Sequence, residues 1–136
     1  MQAGDPAERA GIVVLDALVW NTDDKAEHVL AEESDGEWRL WPVDHANCLA
    51  IADSLQSLPQ TTAPFQPFNL LMENLSRTDI DPWIERAKSI GEEEYADMVR
   101  TLPSEWVIEP DAPERLAEAL FRRAQALDQV LYPVFA

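Results

Sequence analysis

From Ile12 to Trp20 every position is apolar except Asp16. A run of this kind belongs to a segment buried on all sides, and its periodicity alone leaves strand and helix open. The residues ahead of it decide. Asp5-Pro6-Ala7-Glu8 offers an N-cap, a proline at the first helical position and an acid in the first turn, which predicts a buried helix over about residues 6–19. The chain then turns polar from Asn21 to Glu27, a composition that any loop would have. Two apolar-rich arms follow, His28–Ala31 and Trp38–Val43, around Ser34-Asp35-Gly36-Glu37. Asp-Gly suits a two-residue type I′ turn, because both central residues need positive φ. With that turn Ser34 faces Glu37, His28 faces Val43 and Glu27 faces Asp44. Bulky residues at both parities of Trp38–Val43 predict a ribbon at least half buried.

Beyond the ribbon the period is helical. Leu49, Ile51, Ala52, Leu55 and Leu58 predict a helix over 48–58, and the Pro- and Thr-rich stretch 59–67 predicts an extended connection. Residues 68–75 read as a short apolar helix or an extended segment. Thr78–Pro82 reads as a helix start, with Trp83, Ile84, Ala87 and Ile90 as its buried stripe and Gly91 as its stop. A helix over 92–102 would bury Tyr95, Met98, Val99 and Leu102, and Pro103–Trp106 reads as a turn. In the last helix Asp111 and Glu114 suggest a capping box. Leu116, Leu120, Ala124, Leu127 and Leu131 form its inner face, with Arg122, Arg123 and Gln129 outward. The expected fold is mainly α with one small β-hairpin, an α+β arrangement in a single domain over residues 1–136.

Composition narrows the partners. The 136 residues carry a net charge of −16, which argues against a nucleic-acid phosphate backbone or an anionic membrane as partner. It is compatible with metal cations or a basic protein, and equally with solubility alone. The single cysteine, Cys48, lies in an apolar run and reads as a small core residue. One thiol builds no disulfide framework, and Met1–Pro6 lacks a basic-then-apolar leader, so a reducing cytoplasm is the expected location.

Three groups converge at the ribbon's open end in this reading: Asp23, His28 and Asp44. A base that orients a hydroxyl and ligands that neutralise phosphate charge are what phosphoryl transfer requires. Acid-rich loops beside hairpins are also common without any chemistry. Asp16 has a structural reading, as an acid hydrogen-bonded to the loop that follows it, and a site reading; the structural one is preferred. His45 reads as a local hydrogen-bonding residue.

The segment Asn21-Thr22-Asp23-Asp24-Lys25-Ala26-Glu27-His28, followed by Trp41-Pro42-Val43-Asp44-His45, resembles the catalytic and metal-binding loops of HipA-like kinases and their phosphatidylinositol 3-/4-kinase-like relatives. The likeness covers about residues 12–50. It implies a kinase C-lobe-like helical domain, with Asp23 as the catalytic base and Lys25 as a phosphate contact, where the residue alone reads equally as a solvated loop lysine. It also implies His28 and Asp44 as metal ligands, and ATP with Mg²⁺ or Mn²⁺ as cofactors. This chain departs from the pattern in three ways. Asp24 stands where an arginine is usual, adding negative charge beside the base. His28 replaces an asparagine, which shifts preference towards metals that accept nitrogen. No Gly-rich, Lys-bearing lobe precedes the loop. The resemblance therefore implies a catalytic lobe that is incomplete or inactive without an N-lobe, which either a protein partner supplies or a longer precursor carried. The other reading is a degenerate lobe that binds a protein partner in place of the N-lobe; oligomers fit either reading.

Overall fold

The structure, a computed structural model, describes residues 5–21, 29–43, 48, 60–103, 105 and 110–135. In chain order it contains α1 (Pro6–Leu18), β1 (Val29–Ser34), β2 (Glu37–Pro42), α2 (Asn69–Met72), α3 (Arg77–Ser89), α4 (Glu92–Arg100), α5 (Ala112–Gln125) and α6 (Leu127–Leu131), then a 3-10 turn over Tyr132–Phe135. The expected fold class is correct: helices dominate and the described sheet is one antiparallel pair.

Helix α1 is the centre. Its start follows the sequence reading, with the Asp5 carboxylate accepting the Ala7 N–H at 2.9 Å and Pro6 opening the helix. Ala10, Ile12, Val13, Val14 and Ala17 are buried against α2, α3, α5 and α6. A helix that is apolar nearly all round needs partners nearly all round, and these elements supply them. At Gly11 the closest approach is to α3: a Cβ there would stand 3.0 Å from the Trp83 indole, whose N–H donates to the Ala7 carbonyl at 2.8 Å.

Two buried arginines, both unforeseen as core residues, tie helix ends together. Arg9 of α1 is 4% exposed and donates through Nη1 to the Leu71 and Glu73 carbonyls at the end of α2. Arg123 of α5 is fully buried, not outward as its position beside Arg122 suggested. Its Nε donates to the Ala17 carbonyl at 2.8 Å, and its Nη1 to the Thr61 and Ala63 carbonyls at 2.8 and 2.9 Å. The last carbonyls of a helix have no acceptor duty inside it and carry the negative end of the macrodipole, so a guanidinium suits both places. Burial pulls the Arg123 guanidinium down to about 10, which leaves it protonated at neutral pH.

Four other expectations are corrected. The ribbon is exposed along most of its length; only Val29, Leu40, Pro42 and the adjoining Val43 are partly covered. Met98 and Leu102 are 52% and 42% exposed, because the buried face of α4 is Tyr95, Ala96 and Val99. Asp111 makes no side-chain cap bond and instead lies 3.7 Å from the Arg115 guanidinium. The final helix is broken at Ala126 into α5 and α6.

Helix α3 begins one residue earlier than Thr78, with Ser76 as N-cap. The Asp79 carboxylate accepts both the Ser76 N–H and the Ser76 hydroxyl at 2.8 Å, the acidic arm of a capping box. Pro82 therefore lies inside the helix, where the N–H it lacks leaves the Thr78 carbonyl without its helical donor. The Ser76 bonds hold the Asp79 carboxyl below the usual carboxylate range, with a smaller contribution from Arg9. A depressed acid stabilises the fold above its unfolded pKa and loses that contribution as pH falls through the folded one. Ser76→Ala is expected to cost about 1 kcal/mol. In urea titrations at pH 7 and pH 3 the difference between variant and parent should shrink at the lower pH.

Candidate functional site

The loop that carries the sequence motif starts from a locked helix end. Trp20 takes φ +51° immediately after the C-cap of α1, the left-handed position that closes a helix. The next N–H, from Asn21, returns to the Asp16 carbonyl at 2.8 Å, the long bond of a Schellman closure. The Asn21 side chain then donates through Nδ2 to the Asp16 carboxylate at 3.0 Å, and both residues are 2% exposed. Asp16 thus has the preferred structural role, as an acceptor inside the turn it terminates. Trp20 is also buried, with the Arg123 guanidinium 4.8 Å above its ring. The residue that caps the Ala17 carbonyl therefore also holds the indole at the exit of α1.

The other boundary of the motif is the hairpin. Asp35 and Gly36 have φ +51° and +78°, the two positive values that a type I′ turn needs. The register runs as expected from Ser34 opposite Glu37 to Val29 opposite Pro42. One face of the ribbon places Val29 and Leu40 on the core, and the Leu40 N–H donates to the Glu8 carboxylate of α1 at 3.0 Å. On the opposite face Leu30 and Trp41 face each other and are 53% and 51% exposed. Trp41 Nε1 donates diagonally to Glu32 at 3.1 Å.

The four residues singled out for chemistry, Asp23, Lys25, His28 and Asp44, lie outside the described residues, as do His45, Trp106 and, but for Cys48, the helix expected over 48–58. What is described is the chain on either side of them: Asn21 before Asp23 and Lys25, Val29 after His28, and Val43 before Asp44. Cys48 is partly buried, and burial pushes its thiol up, away from the thiolate a nucleophile would need. Among the described residues no three His, Cys, Asp or Glu side chains cluster as a cation site. No described helix is long and apolar enough to cross a membrane.

An apolar concavity of about 400 Å³ opens between α1, α3 and β2. Ile12, Leu15 and Leu18 form one wall, Trp83 and Ile90 the other, and Leu40 the end, with Glu8 and Arg86 as the charged residues among those described. Sequence reading missed this groove and the Arg123 clamp. A signal for the clamp existed: Leu116, Leu120, Arg123, Leu127 and Val130 follow alternating spacings of four and three, which puts Arg123 in phase with the inner face.

No family model, curated protein or solved structure matches the chain.

Proposed function

We propose that this chain is the C-terminal, catalytic-lobe-like part of a kinase-like phosphotransferase of the HipA and phosphatidylinositol-kinase type. It works in the cytoplasm with an N-lobe that completes the ATP cleft. In the reaction, a substrate hydroxyl oxygen attacks the γ-phosphorus of ATP, the bond to the β-bridging oxygen breaks, and ADP leaves. Asp23 orients the hydroxyl and takes its proton. Lys25 contacts phosphate, and His28 and Asp44 hold the divalent ion, which would neutralise charge on the phosphate oxygens.

The observation that carries this reading is the register of the hairpin. Its strands end side by side at Val29 and Pro42. Along the chain His28 is the next residue on one side, and Asp44 is two residues on from the other. Consecutive Cα atoms are about 3.8 Å apart, so one backbone step and two steps separate this fixed pair from the two proposed ligands. The Asp16–Asn21 closure supports the reading in the same way, because it fixes the point from which the Asp23 loop departs.

A second reading has its own observation. The exposed Leu30, Trp38 and Trp41 favour a lobe that serves as a protein-binding module. The two readings separate in a thermal melt with Mn²⁺ and ATP. The melt is recorded for the chain alone and mixed with any Gly-rich, Lys-bearing lobe that a neighbouring reading frame encodes. The phosphotransferase reading expects stabilisation of about 2–3 kcal/mol at a hundredfold excess of nucleotide over its Kd, abolished by Asp44→Asn. No shift in either sample, and no phosphate transfer by the mixture, would leave the binding module as the function.

A further inference from the structure

We infer that the outer edge of β1 is a docking strand for an extended, cationic segment of a partner chain. The inference goes beyond the phosphotransfer reading and requires neither nucleotide nor metal. In a hairpin closed by a two-residue turn, the residues flanking the turn exchange both hydrogen bonds, and every second pair after them does the same. Ser34 with Glu37, Glu32 with Arg39 and Leu30 with Trp41 are therefore the bonded pairs. The N–H and C=O groups of Val29, Ala31 and Glu33 then point away from β2. The Leu40 N–H, at the same parity on the other strand, does point outward, to Glu8. Among the described residues no strand pairs with β1 on that side.

An open edge with unpaired backbone groups is a template for strand addition. Two features choose the occupant. Within the ribbon Glu32, Glu33, Asp35 and Glu37 stand against Arg39 as its one cation, so a strand with Lys or Arg directly opposite is attracted. A second copy would bring the same acids and another net charge of −16 to the contact, which disfavours self-pairing. The exposed Leu30 and Trp41, adjacent on one face, offer an apolar seat for the alternate side chains of the incoming strand.

The test uses the full chain and a labelled peptide of alternating lysine and valine, about nine residues long. Ala31→Pro removes an outward donor while leaving the bonds to β2 in place, and is expected to weaken binding about tenfold or more. Amide exchange at Val29, Ala31 and Glu33 should slow when peptide is added to the parent chain, a readout that needs no variant. A glutamate–valine peptide should not bind. Unchanged exchange at those three amides, or equal binding of the acidic peptide, would overturn the proposal. Dimerisation of the peptide-free chain that Ala31→Pro abolishes would also overturn it, by assigning the edge to a second copy.

Discussion

Arg123→Met is expected to lower the unfolding free energy by about 3–5 kcal/mol, because three backbone carbonyls lose a charged donor at a fully buried site. Methionine keeps much of the volume, so the loss reports polar contacts and not a cavity. The gross value of three charge-assisted bonds is larger, but Nη2 has no acceptor among the described residues and the guanidinium is already held down by desolvation. Both offset part of the gain. Against a total stability of about 5–15 kcal/mol for a domain of this size, the variant should be close to unfolded at 37 °C. Urea titration followed by circular dichroism decides the matter: the midpoint should fall with little change in slope. Arg123→Lys keeps the charge but cannot reach three carbonyls in one plane, and should fall between parent and Met variant. A loss below about 1 kcal/mol for the Met variant would mean that the buried cation only offsets its own desolvation.

Asn21→Leu carries the second largest expected effect, about 2–3 kcal/mol, since it withdraws a donor from a carboxylate that is itself 2% exposed. The backbone bond from position 21 to the Asp16 carbonyl loses its side-chain support, so α1 should persist while its exit loosens. Two measurements separate these. Amide exchange within α1 should change little until global unfolding, whereas the Asn21 amide should exchange faster. If the motif acts as proposed, the response to Mn²⁺ and ATP should disappear at temperatures where the variant is still folded. An unchanged melting temperature would show that the Asp16 carboxylate is held by its other contacts.

These two positions differ in how legible they were. Asp16 could be read as a structural acid from its place just before a polar loop, because its partner lies five residues away. Arg123 could not be assigned to the Ala17 carbonyl, because its partner lies 106 residues away. Its phase on the helix was readable, but a cation in phase with leucines is explained only by the acceptors opposite it. The hairpin shows the same division within one element. Asp35-Gly36 determined the turn and register by a backbone preference local to two residues. The exposure of Leu30 and Trp41 depends on which elements arrive to cover them, and among the described residues none does.

The sequence by itself determined the start of α1, the type I′ turn with its pairing, and the presence of helices around residues 78–89, 92–100 and 112–125. Each rests on capping groups, positive-φ residues or a repeat of apolar positions, forces that act within a turn or two of chain. Tertiary structure alone decided that two arginines are core residues, that the ribbon stands largely in solvent, and that an apolar groove opens between α1 and α3. Burial and the pairing of buried charge are properties of surfaces brought together from distant parts of the chain, so a local pattern such as the phase of Arg123 does not by itself decide them.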